Sequence, residues 1–89
     1  MNFVASLIFY EFSADFIKIP KKRCLSDYGF GFSSLTTAKR ECSKDPYCKR
    51  IYDYGCDENF LTLCREGDIA DQPIFWSTKN CVHEKVGRI

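Results

Sequence analysis

The 89-residue sequence has few of the groups on which catalysis and nucleic-acid binding depend. His83 is the only histidine, and therefore the only side chain that titrates near neutral pH without help from its surroundings. The formal net charge is +1, from 13 Lys and Arg against 12 Asp and Glu, so the sequence lacks the basic excess of a nucleic-acid-binding domain. We expect no nucleic acid among its partners.

The sequence also lacks an apolar stretch that is long enough to cross a bilayer. The longest such run lies between Phe3 and Tyr10, and Glu11, Asp15 and Lys18 follow it closely. A spanning helix needs roughly 20 apolar residues, so we expect no stable membrane span.

Residues 1–20 contain no cysteine and no glycine, which sets them apart from the rest of the chain. Their apolar run resembles the core of a secretory signal, although no basic segment precedes it. The alternatives are an amphipathic helix, because Phe9, Phe12, Phe16 and Ile19 recur at steps of three and four, and a strand, because β-branched and aromatic residues are frequent.

A basic run, Lys21-Lys22-Arg23, directly precedes the first cysteine. It suits a processing site or an ordinary solvated charge run. We therefore predict a boundary at this point. Residues 1–23 form a leader, a pro-segment or an N-terminal extension, and residues 24–89 form a cysteine-rich domain.

Six cysteines in so short a chain indicate a disulfide framework, because a small core alone stabilises a domain only weakly. Disulfides persist in an oxidising compartment, so we predict a secreted, extracellular protein. The gaps between successive cysteines are 17, 5, 7, 7 and 16 residues, and none has the short spacing of a zinc-binding pair. We expect no metal and no cofactor. The cysteines are Cys24, Cys42, Cys48, Cys56, Cys64 and Cys81.

The pattern of the cysteine-rich region predicts one helix followed by several strands. Ser33 and Ser34 offer N-caps, and the apolar residues of the next turns fall on one face, which predicts a helix from Ser34 to Ser43. Gly29 and Gly31 indicate a turn before it. The fold class is therefore α+β, with one short helix packed on a small antiparallel sheet. The predicted strands are Lys49–Tyr54, Phe60–Cys64, Ile74–Ser77 and Cys81–Val86.

These residues resemble the PAN/apple domain family. The helix runs into Cys42-Ser43-Lys44-Asp45-Pro46-Tyr47-Cys48, similar to the segment that ends the helix of apple domains. Ser77-Thr78-Lys79-Asn80-Cys81 resembles the closing motif of the family, and Leu63-Cys64-Arg65 resembles a cysteine-bearing strand. The family commonly has a further helix cysteine where this chain has Ala38, and Cys56 is an extra cysteine.

The resemblance implies a disulfide between the first and last cysteines. Six cysteines permit about 15 pairings, and on this basis we predict Cys24–Cys81. We add the local bridges Cys42–Cys48 and Cys56–Cys64. The alternative is a nested arrangement that joins Cys42 to Cys64 and Cys48 to Cys56.

The candidates for catalysis are few. A serine or cysteine nucleophile needs a base that a carboxylate orients, and Glu84, next to His83, would point to the opposite face of a strand. The acidic residues Asp57, Glu58, Asp68 and Asp71 fall in segments that look like turns. We therefore predict that the protein is not an enzyme.

The candidate ligand-binding residues are aromatic and cationic, since Tyr, Trp and Arg dominate binding hot spots. They are Trp76, Tyr54, Tyr52, Arg50 and Arg65. The resemblance implies an extracellular recognition module for a protein or a glycan. If the module binds a glycan, aromatic rings with nearby carboxylate or amide groups should line a shallow groove. The alternative is a secreted toxin or protease inhibitor, with Arg65-Glu66-Gly67 as its exposed loop. The sequence does not indicate an oligomeric state.

Overall fold

A computed structural model describes residues 15–65, 67 and 69–86 of the chain. Its described residues form one α-helix, seven strands and a short 3-10 helix at Tyr54–Cys56. The α+β prediction, with a helix packed on a small antiparallel sheet and stapled by disulfides, is confirmed. The elements are β1 Asp15–Pro20, β2 Lys22–Cys24, β3 Asp27–Phe32, α1 Leu35–Lys44, β4 Cys48–Asp53, β5 Leu61–Arg65, β6 Ile69–Asp71 and β7 Cys81–Val86.

The main sheet has five strands in the order β1-β7-β4-β5-β3, and every neighbouring pair is antiparallel. The two central strands, β4 and β7, pair Ile51 with His83 and Asp53 with Cys81. Because strands alternate their side chains, these four residues lie on one face of the sheet. The end of the sheet where β4 ends and β5 and β7 begin carries two loops, residues 54–60 and residues 72–80.

Helix α1 covers that face. Ser34, one of the two predicted caps, is the N-cap of the helix. Its side-chain oxygen accepts a hydrogen bond from the amide of Thr37. Ala38 and Cys42 are its buried residues, and the helix begins and ends within one residue of the predicted bounds. The buried core comprises Ala38, Cys42, Cys48, Ile51, Leu61 and Leu63, with Phe16, Tyr28, Phe32 and Leu35 packed against it.

The opposite face of the sheet carries a two-stranded ribbon formed by β2 and β6. Cys64 follows the core residue Leu63 and so points away from the helix, where it forms a disulfide with Cys24 of the ribbon. The sheet is therefore covered by the helix on one side and tied to the ribbon on the other.

The disulfides are Cys24–Cys64, Cys42–Cys48 and Cys56–Cys81. The predicted local bridge between Cys42 and Cys48 is confirmed. The predicted pairs Cys24–Cys81 and Cys56–Cys64 are wrong, and so is the nested alternative.

The register of the sheet explains the correct pairing. Cys64 lies three residues into β5, about 10 Å along the strand from the hairpin loop that holds Cys56. A disulfide joins Cα atoms that are roughly 4.4–6.8 Å apart, so Cys56 cannot reach it. Cys81 instead lies opposite Asp53, at the base of that loop, and its Cα atom is 5.2 Å from that of Cys56.

The predicted boundary between residues 23 and 24 falls inside β2. On its N-terminal side, β1 pairs with β7 from Asp15 opposite Val86 to Pro20 opposite Cys81, so residues 15–23 belong to the folded unit. Among the alternatives for this region, the strand is correct for residues 15–20 and the helix is wrong there. The leader or pro-segment prediction for residues 1–14 lies outside the described residues.

Two further predictions fail for local reasons. The segment Ile74–Ser77 is not a strand, because the chain reverses in a turn in which the amide of Trp76 donates to the carbonyl of Pro73, at 3.1 Å. The Gly29/Gly31 segment is a strand, β3, whose register shifts between Tyr28 and Phe32. Gly29 takes a positive φ of 84° in this irregular stretch, a conformation that glycine adopts readily.

Among the described residues, no helix is long and apolar enough to span a membrane.

Candidate functional site

The loop between β4 and β5, residues 54–60, contains an unusual run of backbone conformations. Gly55, Cys56 and Glu58 all have positive φ, at 76°, 56° and 64°. Residues other than glycine rarely adopt this region, and strain of this kind often accompanies binding sites. We call residues 54–60 the site loop.

Contacts at both ends and in the middle hold the site loop in place. The amide of Tyr54 donates to the carbonyl of Phe60 across its base, at 3.1 Å. The amide of Gly55 donates to Oδ1 of Asn80 at 2.8 Å, and the Cys56–Cys81 disulfide joins the loop to the start of β7. The loop is therefore fixed to the neighbouring strand before any ligand arrives.

A buried carboxylate supports the loop from below. Asp53 has no exposed surface, and its Oδ1 accepts the amide of Glu58 at 3.0 Å. Its Oδ2 lies 2.8 Å from Nε2 of His83, which is 4% exposed. A buried carboxylate needs such partners to offset its desolvation, so this pair is a structural support for the loop.

Asp53, Cys81 and His83 also place their potential metal-ligating atoms within 4.8 Å of one another, all buried. The sulfur of Cys81 is bonded to Cys56, however, and a cysteine binds zinc only as a free thiolate. In the disulfide-bonded protein the cluster therefore offers only two ligands, which does not fit a structural zinc site.

Tyr54 and Phe60 form an aromatic pair on the surface of the site loop. Their ring centroids are 5.2 Å apart, and the side chains are 37% and 49% exposed. We call these two rings the aromatic platform. Tyr54 also contacts the ring of Tyr52, at 4.3 Å, so its inner edge is packed while its outer side faces solvent.

The hydroxyl of Tyr54 is fixed by Asp27. It donates to Oδ2 of Asp27 at 2.9 Å, and the hydroxyl of Thr62 donates to the same oxygen at 2.8 Å. Burial, followed by this hydrogen bond and the charge of Asp27, raises the pKa of Tyr54 to about 12. The phenol therefore stays neutral at physiological pH and holds the orientation of the ring.

The Phe60 ring occupies the space that a side chain at position 31 would fill, and this space is open because residue 31 is glycine. A Cβ atom at Gly31 would lie 2.2 Å from the Phe60 ring, so the ring rests directly on the glycine backbone. Next to this contact, Phe30 is 87% exposed. A glycine is required here for close approach, whereas the sequence suggested only a turn.

The site loop also carries exposed polar side chains. Asp57 accepts hydrogen bonds from both the amide and the side-chain nitrogen of Asn59, each at 3.1 Å. Both residues are exposed, so the loop presents carboxylate and amide atoms as well as the two aromatic rings. This combination has the chemistry that the sequence analysis required of a glycan site.

The candidate residues from the sequence occupy different places. Tyr54 belongs to the platform, whereas Tyr52 is buried beneath it and its hydroxyl accepts a hydrogen bond from Asn80 at 3.0 Å. Trp76 lies in the other loop of this end, 38% exposed, with the guanidinium of Arg23 at 5.5 Å from its ring. The sequence analysis did not single out Phe60, Asp27 or Asn59.

Arg50 is not available to a ligand. It is 7% exposed, and its guanidinium donates to Glu84 at 2.9 Å and to the carbonyl of Arg65 at 2.8 Å. Arg65 is exposed, but its guanidinium lies over the rings of Tyr28 and Tyr47. These arginines lie at the end of the sheet opposite the site loop, since Arg65 pairs with Cys48 at the start of β4.

Comparisons of the chain with protein-family models, with curated proteins and with solved structures gave no match. The resemblance to PAN/apple domains therefore stays a prediction.

Proposed function

We propose that the protein is a secreted, non-enzymatic recognition module that binds a carbohydrate on the aromatic platform. The observation that carries the proposal is the exposed Tyr54–Phe60 ring pair in the same short loop as the exposed Asp57 and Asn59. The apolar face of a sugar ring packs on an aromatic ring, and its hydroxyls exchange hydrogen bonds with carboxylates and amides. The PAN/apple resemblance leads to the same class of function.

Rigidity of the site supports the proposal. The loop is held at three points. They are the Cys56–Cys81 disulfide, the hydrogen bond from Gly55 to Asn80 and the hydrogen bond from Glu58 to the buried Asp53. A ligand that meets a fixed surface does not have to offset the entropy of ordering it. Weak contacts, such as those between a sugar and two rings, gain most from such preorganisation.

Secretion is supported by the disulfides. All six cysteines are bridged, and the Cys24–Cys64 and Cys56–Cys81 bonds join segments that are 40 and 25 residues apart in sequence. Such bonds form and persist in oxidising compartments.

The contacts of Arg65 weigh against the protease-inhibitor alternative. An inhibitor of a trypsin-like protease must present a basic residue in an exposed loop that is free to enter the protease, whereas the carbonyl of Arg65 accepts from Arg50 and its side chain lies over Tyr28. Arg65 is held by its own domain, which weighs against its use as an inhibitory residue.

The test is a screen of the full chain on an array of oligosaccharides, followed by titration of the best binder. Phe60→Ala and Tyr54→Ala should each weaken binding about tenfold, since each removes half of the stacking surface. Tyr54→Phe keeps the ring but loses the hydrogen bond to Asp27 that orients it, so its affinity should lie between those of the wild type and Tyr54→Ala. Tyr47→Ala is the matched control, because Tyr47 is an aromatic residue 69% exposed at the other end of the sheet.

A chain that binds no oligosaccharide on the array would contradict the proposal. So would binding that Phe60→Ala leaves unchanged while the variant keeps its three disulfides and its circular dichroism spectrum.

A further inference from the structure

The loop between β6 and β7 ends in an exposed apolar turn. Ile74 and Phe75 are the central residues of the turn that Pro73 and Trp76 close, and their exposed fractions are 101% and 82%. We call Pro73–Trp76 the apolar turn. Because burial of an isoleucine or a phenylalanine is favourable, two such side chains left almost fully exposed at one tip are unusual in a small domain.

The base of the turn is fixed by a polar network. The amide of Gln72 donates to the carbonyl of Lys21 at 2.9 Å, and its side-chain oxygen accepts the amide of Asn80 at 2.9 Å. The side-chain nitrogen of Gln72 donates to the carbonyl of Thr78. A loop with this many contacts at its base presents its tip in a defined direction, so the exposure of Ile74 and Phe75 follows from the fold.

Cations surround the base of the turn. The segments that form it, residues 20–24 and 71–80, contain four cations and one carboxylate. Asp71 pairs with Lys22, and the guanidinium of Arg23 lies 5.5 Å from the ring centroid of Trp76. Lys21 and Lys79 are exposed. The local charge is positive although the whole chain is nearly neutral.

We propose that the apolar turn docks the protein peripherally on an anionic lipid membrane. The geometry points to insertion of Ile74 and Phe75 among the acyl chains, with Trp76 at the level of the headgroups. The basic residues then face lipid phosphates. This proposal is independent of carbohydrate binding on the aromatic platform.

The combination of shape and charge favours a membrane over a protein partner. A convex apolar tip needs a matching pocket to bind a protein, but it needs only a deformable surface to enter a lipid interface. Tryptophan prefers the interfacial layer, and each Lys or Arg near an anionic surface adds about 1 kcal/mol of attraction, roughly fivefold in affinity. Along the chain, the exposed tip residues Ile74 and Phe75 are followed by Trp76 and then by Lys79, which suits insertion of the tip with the cation nearer the headgroups.

The test uses the only tryptophan of the chain, which lies in the turn itself. The full protein is titrated with vesicles of phosphatidylcholine alone and with vesicles that contain about one-third phosphatidylserine. The emission of Trp76 should shift to the blue with the anionic vesicles, and raising the salt from about 0.1 M to about 0.5 M should weaken the binding. Co-sedimentation gives the affinity by a second readout.

Three variants separate the contributions. Ile74→Ser with Phe75→Ser should weaken vesicle binding by at least about tenfold, since both apolar side chains are lost. Lys79→Gln should weaken binding to the anionic vesicles by about fivefold. Leu25→Ser is the control, because Leu25 is 54% exposed but lies outside the turn, and it should bind like the wild type.

Failure of the wild-type protein to bind anionic vesicles would overturn the proposal. Equal binding by the Ile74→Ser/Phe75→Ser variant would also overturn it, because another surface would then carry the contact. Oligosaccharide binding, measured on the same variant, should be unchanged, so the two proposals fail separately.

Discussion

Replacing Asp53 with alanine should destabilise the protein far more than replacing either carboxylate of the adjoining site loop. The substitution removes the acceptor of two hydrogen bonds, from the amide of Glu58 and from the ring of His83. A donor left without a partner in a buried place costs about 1–3 kcal/mol. The expected loss for the two donors is therefore about 2–6 kcal/mol, a large share of the stability of a small domain.

Urea unfolding under non-reducing conditions measures this loss. With a slope of about 1–2 kcal/mol per molar urea, the midpoint of the Asp53→Ala variant should fall by about 1–6 M. Asp53→Asn keeps one carbonyl acceptor and should lose about 1 kcal/mol. Asp57→Ala is the control in the adjoining site loop, because Asp57 is exposed, and its midpoint should move by less than about 0.5 M.

A double-mutant cycle tests whether Asp53 and His83 act as a pair. The double variant Asp53→Ala/His83→Ala should be more stable than the sum of the two single losses predicts, by about 1–2 kcal/mol. An Asp53→Ala midpoint equal to that of the wild type would refute the reasoning that this buried carboxylate supports the site loop. Strict additivity in the cycle would refute the reasoning that Asp53 and His83 act as a pair.

Three further predictions follow from the contacts. Gly31→Ala should displace the Phe60 ring and reduce oligosaccharide binding like Phe60→Ala, without loss of the disulfides, as titration and peptide mapping would show. Replacing Cys24 and Cys64 together by serine should lower the free energy of unfolding by about 4 kcal/mol in the chain-entropy model, measurable with urea. Because the pKa of Tyr54 is raised to about 12 in the fold, an unfolded chain releases its proton first; the stability advantage of the wild type over Tyr54→Phe should be complete below about pH 10 and disappear towards pH 12.

Features that depend on local sequence were predicted well. The helix required only a serine cap and an apolar stripe, and it begins at Leu35 after the cap at Ser34. Strands β4, β5 and β7 lie within one residue of the predicted segments, since β-branched and aromatic residues are dense there. The segment Ile74–Ser77 has the same composition but fails, because Pro73 and Trp76 close a turn.

Features that depend on pairing across the chain could not be predicted from composition. Strand β1 pairs with β7 across 71 residues of sequence, from Asp15 to Val86, and no local pattern encodes that register. The bridges Cys24–Cys64 and Cys56–Cys81 follow from the same long-range registers, whereas the Cys42–Cys48 bridge spans only six residues.

Only part of the candidate site was predicted, because the rest of it also depends on pairing between distant strands. Tyr54 and Trp76 are exposed at the loop end of the sheet. Tyr52 and Arg50 are buried instead, because they belong to the central strand β4 and both faces of that strand are covered. Phe60 needs Gly31 on another strand to lie on the surface as it does. The pairing of His83 with Asp53 spans 30 residues and requires the register of β4 against β7.

The most direct test of carbohydrate recognition is a nitrogen-15 spectrum of the protein titrated with the oligosaccharide that the array selects. The account predicts that amide shifts concentrate in the site loop, residues 54–60, and at Gly31 beneath Phe60. Shifts centred instead on Tyr47 and Arg65, at the opposite end of the sheet, would contradict it.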